Sequence, residues 1–156
     1  MDQTRDSVRV QGADFDAAAE LAALRLGRND IGAIASFVGL VRDSHAGAEI
    51  RGMTLEHYPG MTEKALEAIV DEARQRWSLL GVRVIHRVGP LAPGEQIVLV
   101  AVASAHRGEA FDACEFIMDY LKTRAPFWKH EQTPDGGRWV DARETDDTAA
   151  ARWQRD

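Results

Sequence analysis

At 156 residues, 45% of them hydrophobic, the chain is sized for one globular domain spanning 1–156 with a core of its own, and is short for two. A formal charge of −6 excludes a broad grip on nucleic acid, which needs a basic face to neutralise many phosphates, so an anionic ligand must meet a local cationic pocket. A single cysteine, Cys114, excludes an internal disulfide and a cysteine-rich zinc knuckle; with no apolar run near the roughly 20 residues of a membrane span and no signal-peptide core in "MDQTRDSVRV", a cytoplasmic protein is expected.

In chain order, a short alternating strand ("SVRVQ", 7–11) precedes Asp14, which reads as the N-cap of a helix through "FDAAAELAALRL" that Gly27 ends. "IGAIASFVG" (31–39) and "IRGMTLEHY" (50–58) read as strands, and "RDSHAGAE" between them as an exposed, mobile loop. "MTEKALEAIVDEARQRWSLL" sets apolar residues at 65, 66, 69, 70, 73 and 77, the spacing of an amphipathic helix. "VRVIHRVG" (82–89) and "QIVLVAVASA" (96–105), joined by "PLAPGE", predict a hairpin or neighbouring pair, its second strand apolar enough for burial on both faces. A helix over 108–124 follows. "FWKHEQT", a "PDGG" turn and "RWVDA" then make a last hairpin before a polar, helix-prone tail. The sum is an α+β domain with three helices and about seven strands.

The cations stand at element ends. On a wheel of 3.6 residues per turn, Phe111, Cys114, Ile117, Met118 and Leu121 share one face of the 108–124 helix, which predicts a core stripe with Lys122 about 20° beyond Phe111 at its border. A border lysine either lays its methylenes on the core with its ammonium in water, or rims a pocket. Pro126 forces the chain out of the helix near Arg124 and into extended structure, where Phe127, Lys129 and Glu131 share one side and Trp128 and His130 the other. Lys129 is then either a plain salt-bridge partner of Glu131 or a companion of Lys122. His106 and Arg107 sit between a buried strand and a helix start, where free amides favour an anion, although a strand-end histidine also serves structure alone. Arg42 closes "FVGLV" at another strand end. These four positions suggest one anionic site.

The inventory narrows the chemistry. Cys114 falls inside the apolar stripe, where a thiol is inert packing rather than a nucleophile. No phosphate loop of Walker type, dinucleotide "GxGxxG" or "HExxH" occurs, and histidines 45, 57, 86, 106 and 130 lack metal-site spacing, so neither metal nor cofactor is expected. Acid–base and electrostatic catalysis by cations remains.

Four stretches, "LEHYPGMTEKAL", "VIHRVGPLAPGE", "VASAHR" and "FIMDYLKTRAPFWKHE", in that order, resemble the catalytic large subunit of molybdopterin synthase, with similarity from about Ile31 to Trp153. The resemblance implies an α/β hammerhead-type fold with an added antiparallel sheet. It also implies conversion of cyclic pyranopterin monophosphate to molybdopterin, with two sulfurs installed as a dithiolene. The sulfur is expected on a second protein, a small ubiquitin-like carrier with a C-terminal Gly-Gly thiocarboxylate. A homodimer binding one carrier at each end, a heterotetramer, is implied as well. Residue by residue, the resemblance makes Lys122 and Lys129 catalytic. It makes Leu40, Val41, Arg42, His106 and Arg107 substrate-binding, with Lys122, Lys129, His130 and Glu131 completing the pocket. Two rivals are weighed beside this reading: a non-catalytic adaptor for a ubiquitin-like tail, and an enzyme forming a Schiff base at a desolvated lysine.

Overall fold

The computed structural model describes residues 8–140 and 144–154. Among these, the elements in order are β1 (Val8–Gln11), α1 (Ala17–Arg25), β2 (Ala33–Leu40), β3 (Ser44–His45), β4 (Ala48–Glu49), β5 (Gly52–His57), α2 (Met61–Arg76) and β6 (Leu79–Arg87). They are followed by β7 (Gly89–Leu91), β8 (Gln96–Ser104), α3 (Arg107–Arg124), β9 (Phe127–Gln132), β10 (Arg138–Val140) and α4 (Glu144–Ala151). The architecture is α+β. The three strands beyond the seven expected, β3, β4 and β7, are only two or three residues long, and α4 forms inside the helix-prone tail. The expected first residue of the opening strand and the last two of "RWVDA" lie outside the described residues.

Two four-stranded sheets organise the chain. The first has the order β1-β6-β8-β2, with β1 parallel to β6 and the other pairs antiparallel. The second, β10-β9-β5-β7, is antiparallel throughout. The chain steps between them just after β6, at Gly89, whose φ of +89° a side chain would disfavour. β6 and β8 are neighbours as expected, but β7 interrupts the connection and pairs with β5 instead.

Burial explains the first sheet. Val98, Val100 and Val102 of β8 join Val82 and Val84 against α2 and α3, while Leu99, Ala101 and Ile85 meet Phe15 and Leu24 on the other face. With α2 and α3 on one side and α1 on the other, β8 is apolar at every position from Ile97 to Ala103. On α2, Leu66, Ile69, Val70 and Ala73 are buried, the spacing seen in the sequence.

Three local expectations are corrected. Asp16 caps α1, accepting from Ala19 N–H at 3.1 Å, because Asp14 is held by Gln96 Nε2 at 2.8 Å. α2 stops at Arg76, since Trp77 turns extended and sets its ring edge-on to Phe116 at 5.3 Å; Leu79 and Leu80 then open β6. Phe111 is 64% exposed rather than core. The buried arc of α3 runs from Phe116 through Tyr120, Ala113, Ile117 and Leu121 to Met118, because the sheet strands β8 and β2 cover it with α2 and α4 alongside, and Phe111 falls just past its edge.

The tail is docked. Trp153 lies edge-on to both Trp77 and Phe116, its Nε1–H donates to Asp119 at 2.6 Å, and Arg76 donates to its carbonyl at 2.6 Å. Among the described residues no helix is long and apolar enough to cross a membrane.

Candidate active site

The bend after α3 creates the site. Ala125 leaves the helix at ψ 134°, as a residue before proline should, and the chain enters β9 at Phe127. Buried Thr62, in the first turn of α2, pins this bend by donating its hydroxyl to the Pro126 carbonyl and accepting the Tyr58 N–H, both at 3.0 Å. Lys122, in the last turn of α3, and Lys129, two residues into β9 past Phe127, thereby line one cavity of about 380 Å³.

That cavity lies where the two sheets meet. Leu40 and Arg42 reach it from the end of β2, Ser44 and His45 from the β3–β4 hairpin, His86 from β6, and Phe127, Lys129 and Glu131 from one face of β9. Leu121 and Lys122 close the α3 side, and Asp146 enters from α4. The alternation predicted for 127–131 is therefore observed. Three cations, Arg42, Lys122 and Lys129, share the wall with two carboxylates, Glu131 and Asp146, so an overall acidic chain has a locally cationic recess.

Glu131 is committed. Although only 3% exposed, it takes His45 Nδ1 at 2.9 and 3.0 Å on its two oxygens and Arg138 Nε at 3.3 Å. Burial alone would raise its carboxyl; the His45 hydrogen bond and charge, the charge of Lys129 and the Arg138 bond outweigh that and hold it below the ordinary carboxylate range. The segment expected as an exposed mobile loop is thus a small hairpin tied down at His45. It turns at Ala46 and Gly47, both at positive φ, as a two-residue hairpin turn requires.

The other expected site residues sit elsewhere. Val41 is buried with Met53, Leu55 and Leu91, and its N–H and C=O are engaged by Glu95 O and Gly94 N, so it anchors Leu40 and Arg42 without lining the cavity. His130 faces away on β9, edge-on to Trp139 at 5.0 Å. His106 and Arg107 are exposed at the amino end of α3; Arg107 and Lys122, fifteen residues apart on one helix, are separated by about 22 Å along its axis. His106 and Arg107 therefore do not meet Lys122 and Lys129 within one chain, whereas the strand-end Arg42 does.

Three titratable wall residues escaped the sequence reading: His45, His86 and Asp146. His86 shares the face of Val82 and Val84 on β6, and that phase was the available signal. Its Nδ1–H donates to the Arg87 carbonyl at 2.8 Å and its ring stacks on Phe127 at 3.8 Å and 19°. Burial, together with the charges of Lys122 and His57, lowers it from 6.5 to about 4, against the Arg87 bond, so the ring is neutral at physiological pH. Cys114 is buried in the α3 core, its Sγ–H directed at Val100 O at 3.7 Å. Burial, and then the Glu115 carboxylate, push the thiol up to about 11, which leaves no thiolate for chemistry. Among the described residues no cluster of three or more histidine, cysteine or acidic side chains is arranged to hold a metal.

Comparisons with known proteins agree on one family. The family model described as MoaE protein matches residues 10–124. A molybdopterin synthase catalytic subunit from Ralstonia nicotianae is 69% identical over 147 residues, covering 94% of this chain and 84% of the relative. Among solved structures, the molybdopterin biosynthesis MoaE protein from Burkholderia ambifaria superposes with a TM-score of 0.81 at 60% identity, covering 94% of this chain and 97% of that one. The protein–protein complex of subunits 1 and 2 of the molybdopterin-converting factor from Helicobacter pylori shares the fold, with a TM-score of 0.67 at 21% identity over 88% of this chain and 91% of that one.

Proposed function

Since the chain belongs to the MoaE protein family and functions as the catalytic subunit of molybdopterin synthase, we propose that the cavity walled by Arg42, Lys122 and Lys129 is where sulfur is transferred. The observation that carries this reading is a convergence of cations on a recess that lacks a thiol, in a chain whose one cysteine is locked in the core. A site that handles sulfur without a sulfur of its own needs a donor from outside. That donor is a small carrier subunit with a C-terminal Gly-Gly thiocarboxylate, and the acceptor is cyclic pyranopterin monophosphate.

The thiocarboxylate sulfur attacks a carbon of the substrate to give a thioester, and water then adds to its carbonyl. The ammonium groups of Lys122 and Lys129 stabilise the oxyanion, whose collapse breaks the carrier C–S bond and leaves the sulfur on the substrate and a carboxylate on the carrier; one of the two moves a proton as the cyclic phosphate opens. Arg42, with Leu40 beside it, holds phosphate and pterin. His45 and Arg138 orient Glu131 at the wall, and His130 supports β9 from behind. His106 and Arg107, at the far end of α3, act as substrate ligands only in the cavity of a second copy, which is the arrangement a homodimer within a heterotetramer would provide. The domain is a single unit over 1–156, of α/β hammerhead type with the second sheet added, and works in the cytoplasm.

The test is reconstitution with thiocarboxylated carrier and cyclic pyranopterin monophosphate, read as dithiolene formed in a single turnover. Lys122→Arg keeps the charge but changes the donor geometry and removes any accessible neutral amine, so turnover should fall at least about a hundredfold with carrier binding and melting temperature preserved. Lys129→Ala should lose more in substrate binding. Near-normal dithiolene formation by Lys122→Arg would return that lysine to a surface role. Carrier binding without any turnover in the parent chain would favour the adaptor.

A further inference from the structure

We propose that His45 is a positioning residue for Arg42: by latching the β3–β4 hairpin onto Glu131 and Arg138, it fixes where the Arg42 guanidinium meets the anionic part of the substrate. This inference rests on the reading that Arg42 holds the substrate phosphate.

Arg42 is an exposed residue on the cavity wall, so the course of its backbone decides where its side chain starts. On its amino side that course is clamped: Val41 is buried, its N–H donates to Glu95 O at 2.9 Å and its carbonyl accepts from Gly94 N–H at 2.7 Å. On its carboxyl side the chain leaves into the hairpin. The return arm is anchored by buried Ile50, whose N–H donates to Asp43 O at 2.8 Å, and by Arg51 N–H on Gln132 O at 2.8 Å. The outgoing arm has no such burial, since Asp43 and Ser44 are exposed, as are Ala46 and Gly47 at the turn. Two strands of two residues each hold little stability of their own, so a hairpin of this size pivots about its base unless something ties it down. His45 makes the tie. Its Nδ1–H donates to the two Glu131 oxygens at 2.9 and 3.0 Å, and its carbonyl accepts from Arg138 Nη2 at 3.3 Å.

The anchor is firm. Glu131 is buried in β9, opposite Met53 of β5 on one side and Arg138 of β10 on the other, and Arg138 Nε reaches its Oε1 at 3.3 Å. A hydrogen bond to an ionised carboxylate is stronger and more directional than one between neutral groups. With both of its oxygens accepting from His45, Glu131 serves the wall by holding rather than by taking a proton from substrate. Arg42 lies one residue from the Val41 clamp and three from the His45 latch, a reach of only about 10 Å of extended chain, so the two fix its Cα from both sides. Recognition of a phosphate by a guanidinium depends on the angle of approach, and releasing one support lets that angle wander at a cost in substrate affinity.

The experiment is a double-mutant cycle between His45→Leu, which keeps bulk but has no donor, and Arg42→Ala, with His45→Asn as the conservative variant whose amide N–H can donate from near the Nδ1 position. Single-turnover dithiolene formation at saturating thiocarboxylated carrier is titrated with cyclic pyranopterin monophosphate, and amide exchange over 43–49 and thermal melts are recorded for each chain. His45→Leu should speed exchange in the hairpin and raise the half-saturating substrate concentration roughly tenfold, with a smaller loss in the saturated rate. His45→Asn should stay within about threefold of the parent. In the Arg42→Ala background, His45→Leu should add less than about twofold, because the guanidinium it positions is gone. The inference is overturned if the tenfold penalty reappears in full on top of Arg42→Ala, or if His45→Leu exchanges quickly in the hairpin yet binds substrate like the parent. Unchanged exchange in His45→Leu overturns it too, since His45 is then not the latch. If His45→Leu melts below the assay temperature, His45→Ala takes its place under the same criteria. Parent-like substrate binding by Arg42→Ala removes the reading beneath, whereas a weakened Arg42→Ala beside a parent-like His45→Leu removes this inference alone.

Discussion

Acidification should destabilise this protein through His86 in a way that can be isolated and measured. The ring titrates at about 4 in the fold against an ordinary 6.5, chiefly because burial penalises its charged form. A folded value below the unfolded one means that the stability concerned is fully present above 6.5 and is lost as pH falls toward 4, because the unfolded chain takes up a proton that the folded one refuses. Integrating between those two values gives a loss of about 2 kcal/mol by pH 5 and about 3 kcal/mol by pH 4. For a chain of this size the pH 5 loss corresponds to roughly 4–8 °C in melting temperature. The assay is urea unfolding of the parent and of His86→Phe at about pH 7.5 and about pH 5, at one fixed protein concentration, which keeps the proposed homodimer from adding a concentration dependence. All other titrations are common to both chains, so the difference in slope belongs to His86. Parallel stability profiles for the two would refute the claim that a buried, neutral histidine stands at this wall.

Cys114→Ser should turn over within about twofold of the parent, since a thiol pushed up to about 11 is not the nucleophile and a serine hydroxyl can still donate to Val100 O; single-turnover kinetics and a melt decide it. Thr62→Val should cost about 1–3 kcal/mol in urea unfolding, by leaving the Tyr58 N–H and the Pro126 carbonyl without their shared hydroxyl, and should slow dithiolene formation as the bend between Lys122 and Lys129 loosens. Glu131→Gln should release the 44–49 hairpin, seen as faster amide exchange there, and should remove the stability that this depressed carboxyl supplies above the ordinary carboxylate range and loses as pH falls below it.

How much of this was legible beforehand follows from the reach of each interaction. The helix over 61–76 and the two-sided burial of β8 were readable because periodicity is a local property, repeated over many residues and confirmed by each. The alternation of Phe127, Lys129 and Glu131 was readable because Pro126 pushes Ala125 out of helical angles and so ends the helix, leaving an extended stretch in which side chains alternate. Phe111 was misplaced because a helical wheel gives the angles between residues but not which neighbours will cover them, and α4 packs against α3 from a tail with no apolar stripe of its own. His45 was invisible because its partner lies 86 residues away. The expected meeting of His106 and Arg107 with the lysines failed within the chain for a similar reason. Being at an element end is a local fact, whereas which end of the sheet that is depends on the whole topology.

The clustering of cations in an acidic chain then has a physical account. Lys122 stands in the last turn of α3, where unpaired carbonyls carry the negative end of the helix dipole and favour a positive side chain. Lys129 arrives beside it because a proline ends the helix and a buried threonine holds the bend closed. The wall shares the Glu131 carboxylate among His45, Arg138 and the charge of Lys129. An anionic group of the substrate or of the carrier that enters this recess meets the field of Arg42, Lys122 and Lys129 together, which is how a chain of net negative charge can still attract an anion.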